Sequence, residues 1–257
     1  MGKLSPEMIK TGLATEFMGQ EIICHQSIGS TNEVAKELAK RGVPQGTLVI
    51  AEKQTAGKGR RGRSWLAPPG SSLLISLILY PPLAASQVSH LTMASSLAVA
   101  YAIEETSRLT VHFKWPNDIL LAGKKAGGIL TETSISGEML DYAVVGIGLN
   151  VNLDVRQIPK IANIATSLSM ELRRQVSRLE LLQAFLEFME REYRLLQQGE
   201  SPCERWATRL SQLGQKVEVT TPWGQESGWA EGVDADGALI LRRDDGTKAY
   251  VTTGDVE

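Results

Sequence analysis

Cysteine is scarce in this chain, with only Cys24 and Cys203 among 257 residues. Two cysteines so far apart exclude a disulfide framework and a cysteine-based zinc cluster, and they fit a reducing compartment. Long apolar runs are also lacking, since none approaches the roughly 20 residues that cross a bilayer. Residues 1–20 contain no continuous apolar core of a signal peptide. The sequence therefore predicts a soluble protein of the cytoplasm.

The chain also lacks an excess of charge of either sign. Lysine and arginine number 27 against 29 aspartate and glutamate residues, which gives a formal net charge of -2. This balance excludes a global attraction to nucleic acid or to anionic membranes, although a local basic patch can still bind anions. Because 42% of the residues are hydrophobic, the composition is that of a globular protein with a sizeable core.

Hydrophobic periodicity divides the chain into a large α+β part and a small β-rich part. In the first part, strands are predicted at 21–28, 47–52, 72–80, 111–114, 118–121, 126–135 and 139–151, and helices at 34–41, 87–108, 179–198 and 202–210. A hydroxyl of Ser30 or Thr31 is predicted to cap the first helix. The short β-segments after residue 213, separated by turn signals, predict a small SH3-like barrel. We therefore expect one domain at 1–213 and a second at 214–257.

Residues 54–65 form the most informative segment, because three glycines, four cationic side chains and a tryptophan follow one another there. Glycine lets the backbone approach a ligand, arginine matches phosphate or carboxylate, and the Trp65 ring offers a face for stacking. The step from Lys58 to Gly59 excludes a Walker A loop, which requires serine or threonine after its lysine. On spacing alone, a phosphate site and a solvated basic loop that binds nucleic acid non-specifically are equally supported.

Two further segments place polar residues at strand ends. At 114–118, Asn117 and Asp118 follow a strand-breaking proline, where a carboxylate can help to hold Mg²⁺ or orient a lysine. An ordinary Asn-Asp turn explains this spacing at least as well. At 123–130, Lys124 and Lys125 precede two glycines, and a lysine at such a place can neutralise a ligand carboxylate during nucleophilic attack. Paired lysines are more often an exposed turn.

Residues 146–152 alternate glycine with apolar residues inside a predicted strand. Because glycine weakens a strand, its repetition indicates a pocket floor or a bulge. The asparagines Asn150 and Asn152 are equally well explained as turn formers and as ligand contacts.

Five blocks occur together, namely Ser-Thr-Asn at 30–32, Gln54 with the glycine-arginine loop, Lys-Trp-Pro-Asn-Asp at 114–118, Lys-Ala-Gly-Gly-Ile-Leu at 125–130 and Gly-Ile-Gly-Leu-Asn at 146–150. In these blocks and their order the chain resembles the biotin protein ligases. The resemblance covers about residues 22–152 closely and the terminal region more loosely.

The resemblance implies a mixed β-sheet flanked by helices, similar to the catalytic domain of class II aminoacyl-tRNA synthetases, followed by the SH3-like barrel. It implies an enzyme that uses ATP with Mg²⁺ to activate biotin as biotinyl-5'-AMP. The biotinyl group then passes to a specific lysine of the biotin carboxyl carrier protein of acetyl-CoA carboxylase. Members of the family often dimerise through an edge strand, so that a monomer and a homodimer both stay open here.

The resemblance also implies a role for each matched residue. The residues implied to bind biotin are Ser30, Thr31, Asn32, Gln54, Lys58, Gly59, Arg60, Lys125, Gly128 and Gly148. Those implied to bind ATP or the adenylate are Arg60, Arg63, Trp65, Asn117 and Asn150. Those implied to be catalytic are Arg60, Lys125 and Asp118, with Asp118 also the candidate ligand of Mg²⁺. Lys125 would reach the biotin carboxylate, Trp65 would stack near the adenine, and Gly128 and Gly148 would leave space for the bicyclic ring.

Two departures from the family qualify this prediction. Only about 20 residues precede the first predicted strand, too few for the winged helix-turn-helix of the members that repress transcription. We therefore expect a ligase without repressor activity or specific DNA binding. Lys58 stands where arginine is often seen in relatives, which keeps the charge and loses the bidentate geometry.

Two alternatives come from other classes of protein. A lipoate ligase or octanoyl transferase would share the mixed sheet, but the transferase requires a nucleophilic cysteine near its pocket. Both cysteines lie outside the five blocks, so we interpret them as structural. A nucleic-acid-binding module would instead use the basic loop as its contact surface. DNA binding that is strong and insensitive to ATP and biotin would identify it.

Overall fold

This computed structural model describes residues 3–257; the first two residues of the predicted domain 1–213 lie outside the described residues. The helices are α1 (Pro6–Lys10), α2 (Thr31–Lys40), α3 (Val88–Ser107), α4 (Leu168–Leu172), α5 (Arg178–Gln197) and α6 (Cys203–Ala207). The strands are β1 (Ile22–His25), β2 (Leu48–Ala51), β3 (Ser72–Leu79), β4 (His112–Lys114), β5 (Asp118–Leu121), β6 (Lys124–Ser136), β7 (Met139–Asn150), β8 (Lys216–Thr221), β9 (Gly224–Val233), β10 (Leu239–Arg242), β11 (Lys248–Val251) and β12 (Asp255–Val256). Within 3–257, no helix combines the length and the apolar character that crossing a membrane requires.

The first part of the chain is built around a seven-stranded sheet in the order β1-β2-β3-β7-β6-β5-β4. The pair β1–β2 is parallel and the other pairs are antiparallel. Ile78 of β3 packs with Ala35 and Ala39 of α2, whereas Leu77 and Leu79 join the main core. Because neighbouring residues of a strand face opposite sides, helices cover both faces of this sheet. The predicted mixed sheet flanked by helices is confirmed.

The second part is a five-stranded antiparallel sheet in the order β11-β10-β9-β8-β12. Leu239 and Leu241 are fully buried on one face, while Arg242 is exposed. The predicted β-rich architecture is therefore confirmed, although within the described residues the sheet does not close into a barrel. Its last strand has only two residues and pairs with β8 alone. The buried Trp115 of the first part lies against this sheet and donates its indole N–H to the Gly237 carbonyl, 3.0 Å away.

The start of α2 differs from the sequence prediction. The helix begins at Thr31 with Ser30 in the N-cap position, but the Ser30 side chain makes no capping hydrogen bond. The Thr31 hydroxyl donates to the Gln54 side chain instead, at 3.1 Å. The prediction that a hydroxyl caps this helix is therefore wrong, because tertiary contacts of the cavity take up the polar group that a local cap would have used. The short elements α1, α4 and β12 were also missed, since none is long enough to show a period.

Glu190 on α5 fastens the N-terminal segment to the core. Its carboxylate accepts hydrogen bonds from the backbone N–H groups of Glu16, Phe17 and Met18, at 3.0, 3.1 and 3.0 Å. Arg194 donates to the same carboxylate at 3.0 Å. Burial raises the pKa of Glu190, but these donors outweigh the burial and hold the pKa below the ordinary glutamate value.

Replacing Glu190 with glutamine is expected to lower the free energy of unfolding at pH 7 by about 1–3 kcal/mol, the usual contribution of hydrogen bonds to a charged group. The depressed folded pKa means that this contribution is complete above the unfolded pKa and is lost as the pH falls through the folded pKa. Urea unfolding at pH 7 and pH 3 measures the difference. Glu200→Gln, at an exposed position, is the control. A deficit as large at pH 3 as at pH 7 would contradict this account.

Candidate functional site

A cavity of about 610 Å³ lies between the loop that follows β2, the strands β5 to β7 and the last strand. Every residue that the sequence predicts for the site lines it, namely Ser30, Thr31, Asn32, Gln54, Lys58, Gly59, Arg60, Arg63, Trp65, Asn117, Asp118, Lys125, Gly128, Gly148 and Asn150. The five sequence blocks therefore meet around one space. Their individual contacts with ligands stay predictions.

The N-terminus of α2 forms a buried polar end of the cavity. The Thr31 backbone N–H donates to Gln54 Oε1 at 2.7 Å. Ser76 Oγ donates to Asn32 Oδ1 at 2.6 Å, and Asn32 Nδ2 donates to a carboxylate oxygen of Glu132 at 2.8 Å. Because each polar group is held by a neighbour, the side chains cannot rotate freely. This end can recognise a small group that carries both donors and acceptors.

Lys125 and Asp118 form an ion pair in the lining of the cavity, with 2.6 Å between Nζ and Oδ1. The Lys125 backbone N–H donates to the Ile164 carbonyl, and its own carbonyl accepts from the Thr166 N–H. These two bonds fix the backbone from which the lysine projects. The Lys125 side chain is 36% exposed, so its charge is accessible to an anionic ligand that enters the cavity.

The glycine-arginine loop is a folded structure with its own hydrogen bonds. Gly59 N–H donates to the Arg63 carbonyl at 2.7 Å, and Trp65 N–H donates to the Gly57 carbonyl at 2.9 Å. A Cβ on Gly57 would lie only 2.9 Å from the Trp65 carbonyl oxygen, so glycine is required at this close approach. The turn between these bonds presents three arginine side chains.

Trp65 lies against Gly148 on the floor of the cavity. A Cβ at position 148 would be 2.6 Å from the indole ring, so glycine is needed there for Trp65 itself. The sequence analysis assigned that space to the bicyclic ring of biotin. At Gly128 a Cβ would make only ordinary contacts of 3.6 Å. The Trp65 Nε1 atom is buried without a hydrogen-bond partner among the described residues.

The arginines of the loop contact a carboxylate that the sequence analysis did not consider. Asp255 in β12 lies 2.8 Å from Arg63, and 3.5 Å from both Arg60 and Arg61. Burial lowers the pKa of the Arg60 guanidinium, while the nearby Asp255 carboxylate opposes this effect. Arginine stays charged in proteins, so the cluster carries three cations, of which Arg60 and Arg63 line the cavity. An anion is the ligand that such a cluster favours.

Asn150 offers an unused acceptor at the other side of the cavity. Its Nδ2 atom donates to the Thr166 carbonyl at 3.1 Å, whereas its Oδ1 atom is buried without a partner within the described part of the chain. A donor group of a ligand can satisfy this oxygen. The sequence analysis missed the neighbouring lining residues Ile161, Asn163, Ile164 and Ala165. Ile164 is 65% exposed and forms an apolar lip.

From the sequence, Arg242, Arg243 and Lys248 of the second sheet can either reach the nucleotide or lie on a solvated face, and the solvated face is the usual outcome for such residues. Arg242 and Lys248 both pair with Glu231, and Arg243 pairs with Glu226. None of the three lines the cavity, which agrees with their interpretation as a solvated face. The second sheet reaches the site through Asp255 and Val256 instead. The sequence shows no sign of this contact, since an acidic residue in a terminal β-segment is usually solvated.

The two cysteines are also remote from the cavity. Neither lines it, and both are free thiols. Burial raises the pKa of Cys24 and of Cys203, which keeps both thiols protonated and weakly nucleophilic. This arrangement disfavours a transferase that forms a covalent acyl-cysteine.

A metal held by protein side chains alone does not fit this cavity. Among residues 3–257, no three histidine, cysteine, aspartate or glutamate side chains are grouped so that they could hold a metal ion. Mg²⁺ is commonly bound by one or two carboxylates together with substrate phosphates. Asp118 and the neighbouring Asn117 line the same cavity as the loop arginines, which fits that second mode.

Glu33 on α2 anchors the loop from outside the cavity. Lys58 Nζ lies 2.6 Å from Glu33 Oε1, and Lys36 contacts the same oxygen at 3.0 Å. Hydrogen bonds from Lys58 and then from Lys36 lower the pKa of Glu33. Lys36 also pairs with Glu132 at 2.8 Å. The loop is thus connected through these ion pairs to Glu132, which accepts the hydrogen bond of Asn32.

Replacing Glu33 with glutamine is expected to loosen the loop. An exposed ion pair contributes less than about 1 kcal/mol. We therefore expect the KM values for biotin and ATP to be about two- to fivefold higher, with kcat nearly unchanged. Trypsin is expected to cleave the loop faster. Glu37→Gln is the matched control, because Glu37 lies on the same helix and pairs with Lys40 at 2.7 Å. Equal cleavage rates in the two variants would show that Glu33 does not hold the loop.

The chain matches two sequence families. The profile of the Biotin/lipoate A/B protein ligase family matches residues 24–150, and that of the Biotin protein ligase C terminal domain matches residues 213–257. The chain is 38% identical to the Bifunctional ligase/repressor BirA of Bacillus subtilis, over 100% of this chain and 79% of the relative. It is 36% identical to the Biotin--[acetyl-CoA-carboxylase] ligase of Paracoccus denitrificans, over 83% and 90%.

A solved structure has the same fold. The biotin protein ligase from Aquifex aeolicus, in complex with biotin and ATP, superposes with a TM-score of 0.79 at 28% identity, over 93% of this chain and 98% of that one. The two family profiles, the extent of the sequence identity and the common fold agree. The chain therefore belongs to the biotin/lipoate A/B protein ligase family and, within it, to the biotin protein ligases.

Proposed function

We propose that this chain activates biotin with ATP as biotinyl-5'-AMP and transfers the biotinyl group to a specific lysine of the biotin carboxyl carrier protein of acetyl-CoA carboxylase. The observation that carries the proposal is the position of Lys125. Its cation lines the same cavity as the polar end at Thr31 and Gln54 and the loop arginines Arg60 and Arg63. A ligand with a neutral polar head and a carboxylate tail, lying beside a nucleotide phosphate, matches this set of groups.

The first step binds the two substrates in line. The polar end at Thr31, Asn32 and Gln54 holds the ureido head group of biotin, and Lys125 contacts the carboxylate. Arg60 and Arg63 bind the phosphates of ATP, while Asn150 accepts a hydrogen bond from the nucleotide. Holding both reactants in one cavity replaces a bimolecular encounter by a preset geometry. The entropy lost when two reactants are brought together is a large part of the barrier to such reactions, and here it is lost on binding.

In the second step a carboxylate oxygen of biotin attacks the α-phosphorus of ATP. The new bond joins that oxygen to phosphorus, the bond from phosphorus to the bridging oxygen breaks, and pyrophosphate leaves with the electron pair. Lys125 and Arg60 stabilise the negative charge that develops. Asp118 would hold Mg²⁺ together with the phosphate oxygens, and the ion would supply further charge neutralisation.

In the third step the amine of the carrier lysine attacks the carbonyl carbon of the mixed anhydride. An amide bond forms, the bond between the carbonyl carbon and the phosphate oxygen breaks, AMP leaves with the electron pair, and Asp118 takes the proton that the amine loses. Asp118 already contacts the ammonium group of Lys125, and its carboxylate can orient the amine of the carrier lysine in the same way. The loop covers the anhydride and keeps water away until the carrier arrives.

The remaining expectations belong to this proposal. We expect the division into domains at 1–213 and 214–257, and action in the cytoplasm, where free cysteines such as Cys24 persist. We also expect no specific DNA binding by this chain, and a mobility-shift assay with operator-like DNA tests that expectation. Size-exclusion chromatography with light scattering distinguishes a monomer from a homodimer.

The experiment that tests the proposal is a pyrophosphate-release assay with Mg·ATP and, in turn, biotin, lipoate and octanoate. We expect release with biotin alone. A biotin-carrier domain is then added, and its lysine is expected to gain the mass of one biotinyl group. Release that depends on lipoate would move the chain to the lipoate ligases, and no release with any of the three acids would reject the ligase function.

A further inference from the structure

The C-terminal strand brings a carboxylate into the cation cluster of the loop. Asp255 contacts the guanidinium groups of Arg60, Arg61 and Arg63, with a shortest distance of 2.8 Å to Arg63 Nη2. The Asp255 side chain is only 18% exposed. Two of these arginines, Arg60 and Arg63, are the groups that our proposed function assigns to the phosphates. A protein carboxylate therefore stands where a negatively charged ligand would be bound.

The position of Asp255 is set by its backbone. Asp255 pairs with Thr220 and Val256 pairs with Val219 across the β8–β12 ladder. A Cβ on Gly254 would lie 2.5 Å from a Val219 methyl group, so the strand packs as closely as glycine allows. The Gly254 carbonyl accepts a hydrogen bond from Arg60 at 3.1 Å. The carboxylate is thus presented on a strand that is hydrogen-bonded to β8 and packed against Val219.

A phosphate group and the Asp255 carboxylate carry like charges and require the same donors. When a triphosphate or pyrophosphate contacts Arg60 and Arg63, the carboxylate must give up part of its hydrogen bonds or remain beside a like charge. Either outcome weakens phosphate binding. After adenylate formation, the same competition favours the departure of pyrophosphate, because the arginines it leaves have another anion available.

We propose that Asp255 is a built-in competitor of the phosphates: it pairs with the loop arginines when no phosphate is bound and promotes the release of pyrophosphate after the activation step. The proposal rests on the proposed function, because it assigns a role to the same arginines. It also explains how three neighbouring cations remain close together between turnovers. Their mutual repulsion is offset by one carboxylate from the second sheet.

The test measures the binding of Mg-pyrophosphate to the full chain by isothermal titration calorimetry. Asp255→Asn keeps the shape and removes the charge, so we expect the Kd to fall about tenfold, the effect of one unit charge a few ångströms away at a solvent-facing site. In turnover with biotin, the same variant is expected to show a lower KM for ATP and stronger product inhibition by pyrophosphate.

Two control variants isolate the charge. Asp255→Glu keeps the carboxylate and is expected to leave the Kd within about twofold of the unchanged chain. Glu257→Gln removes a charge from the same terminal segment, where the carboxylate contacts Thr220 at 3.2 Å, and is expected to have no effect. Thermal unfolding checks that each variant is folded. Asp255→Ser tests the same charge if the asparagine variant does not fold.

The proposal is supported if pyrophosphate binds more tightly to Asp255→Asn or Asp255→Ser but not to Asp255→Glu or Glu257→Gln. Unchanged or weaker binding overturns it, since Asp255 would then only tether the loop to the second sheet. Pyrophosphate titration requires no biotin, so this result is independent of the biotin-dependent release assay. If the neutral Asp255 variants bind pyrophosphate no more tightly and biotin activation is intact, only the competitor role of Asp255 is rejected. If those variants bind pyrophosphate more tightly but biotin is not activated, only the proposed function is rejected.

Discussion

Replacing Lys125 with methionine is expected to lower the rate of biotinyl-AMP formation by about 10²- to 10³-fold, the usual cost of removing one group that stabilises developing charge. Methionine fills nearly the same space without the ammonium group. The lost cation would otherwise neutralise the biotin carboxylate as it approaches the α-phosphate. We therefore expect a large decrease in kcat and a smaller increase in the KM for biotin.

The fold should tolerate the Lys125 change. The Lys125–Asp118 pair is partly exposed, and such pairs contribute about 1 kcal/mol or less to stability. Lys40→Met is the matched control, because Lys40 also pairs with a carboxylate, that of Glu37 at 2.7 Å, on a helix surface outside the cavity lining. Biotin-dependent pyrophosphate release is measured for both variants. A Lys125 variant as active as the Lys40 variant would remove Lys125 from the mechanism.

Most of the fold could be predicted from the sequence because its elements are long or fully buried. The largely apolar run 72–80 predicts a strand, and β3 at Ser72–Leu79 is buried along its whole length with helices on both of its sides. The recurring apolar residues of 179–198 correspond to α5 within one residue at each end. The missed elements α1, α4 and β12 have only two to five residues, show no period and depend on tertiary contacts.

The cavity could be predicted as a set of residues but not as a set of contacts. The resemblance of the five blocks to the biotin protein ligases identified the lining, whereas the spacing of the residues alone left a solvated loop or an ordinary turn open at each place. The blocks could not reveal that Trp65 lies on Gly148, or that Asp255 meets the loop arginines from a strand almost 200 positions away. Such pairs depend on the docking of the two sheets, for which one sequence carries no local signal.

The loop is held by carboxylates at both of its ends. Glu33 of α2 contacts Lys58 on one side, and Asp255 of β12 contacts Arg60 and Arg63 on the other. Single ion pairs with partly exposed partners are individually weak, so the loop can be ordered and still open for substrate and product. One anchor lies on a helix of the first part and the other on the second sheet, which couples the position of the loop to the packing of the second sheet on the first part.

Replacing Gly146 with alanine is expected to lower the free energy of unfolding by about 2–4 kcal/mol, since overpacking and broken buried hydrogen bonds add together. A Cβ at Gly146 would lie 2.1 Å from Asn32 Oδ1. Asn32 is buried and bonded to Ser76 and to Glu132. It cannot move aside unless the start of α2 moves as well, and Thr31 with it.

Because Thr31 belongs to the polar end of the cavity, the same variant is expected to raise the KM for biotin at least about tenfold. Gly232→Ala is the matched control, because Gly232 is also a strand glycine but has no atom within 4 Å of an added Cβ. We expect that control to stay within about 0.5 kcal/mol of the unchanged chain. Urea unfolding and biotin-dependent pyrophosphate release measure the two effects. Equal stability of the two alanine variants would contradict the clash.

A double variant identifies Asn32 as the cause. Asn32→Ala removes the side chain that a Cβ at Gly146 would strike, and by itself it costs the hydrogen bonds that Asn32 makes. If the clash explains the Gly146 result, the loss of stability in the double variant is smaller than the sum of the two single losses by about 1 kcal/mol or more. Simple additivity would place the strain elsewhere in β7, and the polar end of the cavity would then not depend on the glycine beneath it.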